Sequence, residues 1–338
     1  MLTLNDFSLL LVTTGKDIDR LLAVYSTIRN LYPTNEIVIV YDNNTTSTLG
    51  VADANLIEVH TDKRVYVSGG YNLALARATR KCFVFLHDDT FPAENFLENI
   101  ISHVTETQFC NFTTIEPPLY NDPDTLMKPI KDFGRDVESF NWNEFNTHTQ
   151  LHIGKLTDVT VPSPFGGFFM AGYVDSLNKI GNFDEKFQPY FYEDADLILR
   201  MYMSGYNFVH SLNSIVYHMG SLTSRASNES NVAMQTTRNI FLSKWKCPWE
   251  YIRQYTLEHF VEYKKVSFEI QSTNCPVDMQ DYFKLISDVG SNIKIIIDGK
   301  KLNQSDIEYL QTLPYVLSSL EECGTYEIGN LTVHYTQD

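Results

Sequence analysis

The chain has 338 residues, 43% hydrophobic and 13% aromatic, enough for one large domain with an extension and too apolar for wholesale disorder. A formal net charge of -16 repels phosphate backbones and anionic membranes, which disfavours broad electrostatic binding to nucleic acid. The cysteines Cys82, Cys110, Cys247, Cys275 and Cys323 are scattered and never spaced C-x-x-C, which points to free thiols in a reducing compartment.

In chain order, Met1 to Asp6 carries no basic stretch, and the apolar run Leu9 to Val12 is too short for a signal h-region or a membrane span. A cytoplasmic protein with no membrane span is expected. Ser8 to Thr13 predicts a buried strand turning at Thr-Thr-Gly. Asp17 to Tyr32 predicts a helix, with Ile18, Leu21, Leu22, Tyr25 and Ile28 at helical spacing and Pro33 ending it. Glu36 to Tyr41 predicts a β-branched strand, with Asp42-Asn43-Asn44 as its turn, and Asn55 to His60 a third. Gly69 to Arg80 predicts a helix opening on two glycines, Cys82 to His87 another buried strand, and Pro92 the start of the next helix.

From Glu116 to about Pro164 the pattern breaks into loop-rich sequence, with Trp142 among its aromatics. Regularity returns at Phe165 to Ala171, followed by helices near Val174 to Ile180 and Glu193 to Ser204. Short strands are expected at Asn207 to His210 and Ser214 to Tyr217, then a helix to Trp245 and another opening at Pro248. From Lys265 onward a separate β/α pattern begins: strands at Val266 to Ile270 and Ile293 to Ile297, with helices at Met279 to Val289 and near Asn303 or Ser305.

Strands alternating with helices imply a mostly parallel sheet covered on both faces, with ligands beyond the carboxyl ends of its strands. Those ends carry Thr13-Thr14, Asp42-Asn43 and His87-Asp88-Asp89. Adjacent carboxylates at a strand exit repel one another unless a cation or donor neutralises them, and hard divalent cations favour carboxylate together with phosphate oxygens. A second acidic island runs through Gly181-Asn182-Phe183-Asp184-Glu185 to Glu193-Asp194-Ala195-Asp196 and Arg200. Acidic first turns are common on helices, so a catalytic reading needs one carboxylate aimed into a cleft. The third island is His218 at the end of a strand, which serves as a structural side chain or a metal ligand.

In this order and spacing the islands resemble family 2 glycosyltransferases of the GT-A fold, over about residues 7 to 246. The resemblance implies a nucleotide-diphospho-sugar transferase fold, a Rossmann-like mixed sheet with helices on both faces. It divides the chain into 1–246, with a nucleotide half (7–115) and an acceptor half (116–246), and a C-terminal α/β extension at 247–338. It implies that Asp42 contacts the nucleotide base beside Thr13, Thr14 and Asn43, with Gly70, Asn72, His87, Asp88 and Gly167 also in the nucleotide-sugar site. Asp89 matches the last aspartate of the Asp-x-Asp motif and, with His218, binds Mn2+ or Mg2+. Asp194 matches the general base and Glu193 helps bind the acceptor. One departure stands out: His87 occupies the place of the first aspartate.

The implied reaction is metal-assisted transfer of a sugar from a nucleotide-diphosphate donor, expected to be a UDP-sugar, to an acceptor hydroxyl with inversion. The acceptor is a glycan, lipid or other hydroxyl-bearing molecule; a modified DNA base is disfavoured by the net charge. The alternative is a non-catalytic nucleotide-sugar or glycan-binding protein on the same fold.

Overall fold

The computed structural model describes residues 2–119, 124–153, 160–162, 168–203, 206–220, 228–245 and 249, and four C-terminal strands. The sequence alternation holds through the first half. Strands β1 (Phe7–Thr13), β2 (Glu36–Tyr41), β3 (Leu56–His60) and β4 (Cys82–Phe85) pair in parallel in the order β3-β2-β1-β4. Period-two alternation sorts their side chains onto two apolar layers. Leu10, Val38, Val40, Phe83 and Phe85 face one layer, and Leu9, Leu11, Ile37, Ile39 and Val84 face the other. Fully burying each such side chain is worth roughly 1.5–3 kcal/mol, so core formation on both faces outweighs local propensity.

Helix α1 (Ile18–Leu31) starts where predicted, with Asp17 capping the backbone N–H of Arg20 at 3.0 Å. At its other end the Arg29 guanidinium donates to the carbonyls of Tyr32, Pro33 and Asn35 at 3.0, 3.1 and 2.8 Å, fixing the turn that leaves the helix. Helix α2 (Tyr66–Arg77) begins earlier than the two glycines suggested. Gly69 and Gly70 lie inside it because the helix presses on β1: a Cβ at Gly70 would sit 2.6 Å from Cγ1 of Val12. Glycine there serves close packing.

Beyond β4 the sheet becomes mixed. Strands β5 (Thr90–Pro92), β6 (Gln108–Ile115), β7 (Thr160–Pro162), β8 (Met170–Tyr173) and β9 (Asn207–His218) extend it as β4-β8-β6-β9-β5, with β7 also on β9. The predicted helix start at Pro92 is corrected: Pro92 ends β5, an edge strand antiparallel to β9, where a missing N–H costs no ladder bond. The next helix, α3, is short (Glu98–Ile101).

Within the predicted loop region lies α4 (Trp142–Ile153). The side chain of Asn141 accepts the N–H of Glu144 at 3.2 Å and donates to its carboxylate at 3.2 Å, so this stretch has an N-terminal box of its own. The two short strands predicted at 207–217 are one strand, β9, whose pairing with β6 shifts between Phe112/Ser211 and Thr113/Ile215. Helices α5 (Val174–Lys179), α6 (Glu193–Met203) and α7 (Asn228–Trp245) follow as expected.

The C-terminal extension holds a separate sheet of β10 (Ser267–Ser272), β11 (Asn292–Asp298), β12 (Gly324–Ile328) and β13 (Leu331–Thr336), in the order β10-β11-β13-β12. The helices predicted at Pro248, Met279 to Val289 and Asn303 or Ser305 lie outside the described residues. Among the described residues no helix is long and apolar enough to cross a membrane.

Candidate functional site

The carboxyl ends of β1, β2 and β4 open on one cleft of about 740 Å³ including its open mouth. Thr13, Thr14, Asp42, His87, Asp88 and Asp89 line it, six of the residues expected from sequence. Asp42 is held from three directions. Its N–H donates to the Thr13 carbonyl at 2.7 Å, its Oδ1 accepts the Val65 N–H at 2.7 Å, and its Oδ2 lies 3.3 Å from Nε of Arg64. Asn43 leaves the strand with φ 56, and its N–H donates to Oγ1 of Thr61 at 2.8 Å. Thr14 is fixed through its carbonyl, which accepts from the Asn44 side-chain amide at 3.0 Å.

Asp88 and Asp89 diverge. Asp88 turns toward β1 and α1: its Oδ2 accepts from Oγ1 of Thr13 at 2.6 Å and lies 3.5 Å from an Arg20 guanidinium nitrogen. Burial, with Asp89 beside it, raises the Asp88 carboxyl above its ordinary range, and Arg20 offsets only part of this. Asp89 turns toward β9. Antiparallel pairing of Thr90 with His218 and parallel pairing of Ile115 with Tyr217 bring Asp89, His218 and Glu116 together. His218 Nε2 lies 3.3 Å from Oδ1 of Asp89, and its Nδ1 lies 2.8 Å from Oε1 of Glu116. Lys128 closes the far side, 2.9 Å from Oε2 of Glu116.

Burial alone would raise both carboxyls and lower the imidazole. The opposite charges outweigh it: Asp89 is held well below the usual carboxylate range by His218, Glu116 falls to about 2 beside His218 and Lys128, and His218 rises to about 9 beside Asp89 and Glu116. His87 joins from the end of β4. One ligand atom from each of His87, Asp89 and His218 lies within 4.8 Å of the others. Two imidazoles and a carboxylate are a donor set for a divalent first-row metal. The expected pair Asp89 and His218 is therefore in direct contact, with His87 as a third possible donor.

Glu193 and Asp194 open α6. Directly before them, Phe191 and Tyr192 adopt positive φ of 77 and 65, a strained approach of the kind that collects at functional sites. Glu193 is buried, and its Oε2 has no hydrogen-bond partner among the described residues. Burial, then the charge of Asp194, pushes its carboxyl up to about 8. The phenol of Tyr71, raised first by burial, also feels Asp88, Asp89 and Glu193, which ties the start of α6 electrostatically to the acidic strand exit. Neither Glu193 nor Asp194 is among the residues lining the cleft.

Two expected ligand-binding residues are engaged elsewhere. Gly70 packs on Val12. The Asn72 amide donates to the Phe183 carbonyl and to Oε1 of Glu185, each at 3.0 Å, and its oxygen accepts the Phe183 N–H at 3.0 Å, clamping the 181–185 turn. That turn, with Asp196 and Arg200 from the second island, forms a structural network. Lys244 reaches Asp184 at 2.7 Å and Asp196 at 2.9 Å, and Asp196 also pairs with Nε of Arg200 at 2.8 Å. Gly167 lies outside the described residues. The sequence alone does not single out Glu116, Arg20, Arg64 or Tyr66. Glu116 meets His218 across 102 residues, Arg20 meets Asp88 across 68, and Arg64, with the ring of Tyr66 beneath it at 4.9 Å, meets Asp42 from the far side of β3, so no short motif announces these contacts.

Residues 8–173 match the family model described as glycosyl transferase family 2. No curated protein matches the sequence. Among solved structures, the chain is similar to the crystal structure of GalNAc-T7 with UDP, GalNAc and Mn2+, at 11% identity and a TM-score of 0.52, covering 84% of this chain and 54% of that one. The chain thus spans about half the length of that structure. It is also similar to Staphylococcus aureus TarS 1-349, at 14% identity and a TM-score of 0.43, covering 74% of this chain and 78% of that one. The first likeness shows a shared fold, that of the GT-A glycosyltransferases.

Proposed function

We propose, from the match of residues 8–173 to the family model described as glycosyl transferase family 2, that the protein transfers a sugar from a nucleotide-diphosphate donor to an acceptor hydroxyl, with inversion and with a bound divalent cation. The observation that carries this reading is the meeting of Asp89 and His218, 3.3 Å apart, at the wall of the cleft that Thr13, Thr14 and Asp42 also line.

Thr13, Thr14 and Asp42 hold the nucleotide, and the Asp42 carboxylate, held by the Val65 N–H, accepts from a base or ribose donor. Asn43 shapes the same rim, and Asp88 keeps Thr13 oriented. Asp89 and His218 hold Mn2+ or Mg2+, which supplies charge stabilisation to a departing diphosphate. Asp194 takes the proton of the acceptor hydroxyl, and Glu193 beside it contacts the acceptor. Gly70 and Asn72 act on the site indirectly, by seating α2. A UDP-sugar is the favoured donor; the GalNAc-T7 structure was determined with UDP and Mn2+. The acceptor is a glycan, a lipid or another hydroxyl-bearing molecule, and a net charge of -16 disfavours a DNA base.

Cytoplasmic placement belongs to the same reading. It is supported by the free, buried thiols of Cys82 and Cys110. It is supported also by Asn44, a glycosylation sequon whose side-chain amide donates both to Thr14 and to Ser47, at 3.0 and 2.7 Å, leaving no hydrogen for a glycan to replace.

The test is a screen of nucleotide sugars for hydrolysis and transfer, with mass spectrometry of the released sugar. Turnover of a UDP-sugar that EDTA abolishes and Mn2+ restores is expected. Full turnover in EDTA would remove the cation from the mechanism, and absence of nucleotide-sugar binding would sink the assignment.

A further inference from the structure

His87 stands where the resembled motif has its first aspartate, and its surroundings give it a specific job. Its ring packs against Phe168 and Phe169, with centroids 4.5 and 4.8 Å away, and meets the ring of His218 edge-on at 5.3 Å. The backbone beneath is pinned by Thr90, whose hydroxyl accepts the His87 N–H at 3.1 Å and donates to the His87 carbonyl at 2.7 Å. The ring is thus held by packing, yet among the described residues its nitrogens make no hydrogen bond. His218 differs, since its Nδ1 is taken by Glu116. Asp88, the other carboxylate that could supply an oxygen, is tied to Thr13 and Arg20 on the opposite side.

Resting on the transferase reading, we infer that His87 is a direct ligand of the cation, so that the centre is built from two imidazoles and one carboxylate and selects Mn2+ over Mg2+. Ligand atoms about 2.1 Å from a shared ion lie about 3 to 4.2 Å apart. The three donors here lie within 4.8 Å of one another, so small side-chain rotations suffice to bring them onto one ion. Magnesium keeps its water and prefers carboxylate and phosphate oxygens in a tight octahedron. Imidazole nitrogen is a borderline donor that favours first-row transition ions. Exchanging an aspartate for His87 removes a charged oxygen that Mg2+ needs and adds a nitrogen that Mn2+ accepts. The phenylalanine walls keep the imidazole from swinging into solvent, which lowers the ordering cost when the ion arrives.

The test reads the ion itself. Mn2+ alone is titrated into the full chain by electron paramagnetic resonance, and electron spin-echo spectroscopy counts the imidazole nitrogens coupled to the bound ion. The wild type is expected to show two. His87→Phe keeps a ring for Phe168 and Phe169 to pack on and should show one, with Mn2+ affinity lower by about 10- to 100-fold. His87→Asp should lower the ratio of Mg2+ to Mn2+ dissociation constants by at least about tenfold. Two coupled imidazoles persisting in His87→Phe, an unchanged ratio in His87→Asp, or no Mn2+ bound by the wild type overturns the inference. Sugar transfer is assayed separately. Two imidazoles without transfer uphold this centre and sink the transferase reading, while transfer with a single imidazole does the reverse.

Discussion

Glu193 and Asp194 are neighbours in sequence with different fates. Glu193 is buried with its carboxyl raised to about 8, so at neutral pH it is mostly protonated and poorly suited to act as a base. Asp194→Asn should therefore cut turnover by about 10²- to 10⁴-fold, the usual worth of a general base, while Glu193→Gln, which mimics the neutral acid, should cost less than about tenfold. Equal losses in the two variants would contradict the division of labour. The same residue makes a stability prediction. The folded state holds the Glu193 proton more tightly than the unfolded chain, so its contribution is favourable below the unfolded value of 4.5 and is lost as pH rises through about 8. Denaturation midpoints followed from pH 4.5 to 8 should fall less steeply in Glu193→Gln than in the wild type. Glu116 acts one shell further out, orienting His218 through the 2.8 Å contact at Nδ1. Glu116→Gln keeps the shape and removes the charge, so Mn2+ titration should show affinity weaker by about 10- to 100-fold.

At the scale of elements, the contact of α2 with β1 decides whether Thr13 and Asp42 sit correctly. A methyl group at Gly70 meets Val12 at 2.6 Å, so Gly70→Ala should destabilise by about 1–3 kcal/mol. Trimming the obstacle as well, in Gly70→Ala with Val12→Ala, should recover part of that loss in a double-mutant cycle read by thermal denaturation. Much of this layer was legible beforehand. The runs 8–13, 36–41 and 55–60 are rich in apolar and β-branched residues, and each became a strand within a residue or two of its expected limits. Strand β6 was not legible, because Asn111, Thr113 and Thr114 interrupt its apolar run. Those polar groups are buried; the Asn111 amide donates to the Phe169 carbonyl and the Thr113 hydroxyl meets His210, both distant in the chain. Helix α4 did carry a signal, the Asn141–Glu144 pair at its start, which the dense aromatics around it obscured. For the site, strand exits predicted Thr13, Asp42, Asp89 and His218 together. Asn72, placed in the nucleotide-sugar site by the resemblance alone, has its amide bonded to partners 111 and 113 residues away in the chain, which no local pattern shows.

The whole molecule depends on strands far apart in sequence, and a cation should therefore stabilise all of it at once. An ion that binds the folded chain at 100 times its dissociation constant adds about 2.7 kcal/mol. Thermal denaturation should accordingly shift upward with Mn2+ and return to the starting value with EDTA; a midpoint indifferent to both would argue that the cluster of His87, Asp89 and His218 holds no ion. The family match ends at residue 173, before Glu193, Asp194 and His218, so the chemistry proposed here relies on residues beyond the matched segment.

Strand β9 touches β6, β7 and β5, and its last residue is His218. During synthesis, Asp89 and Glu116 emerge from the ribosome 129 and 102 residues ahead of the imidazole that will neutralise them. Until then, Asp89 waits without its imidazole, Glu116 has only Lys128, and the half-made sheet exposes the flank of β6 that β9 will cover. Capture of an ion there would in that sense be a late event, a chemical signature that β9, the final strand of the larger sheet, has been threaded into register.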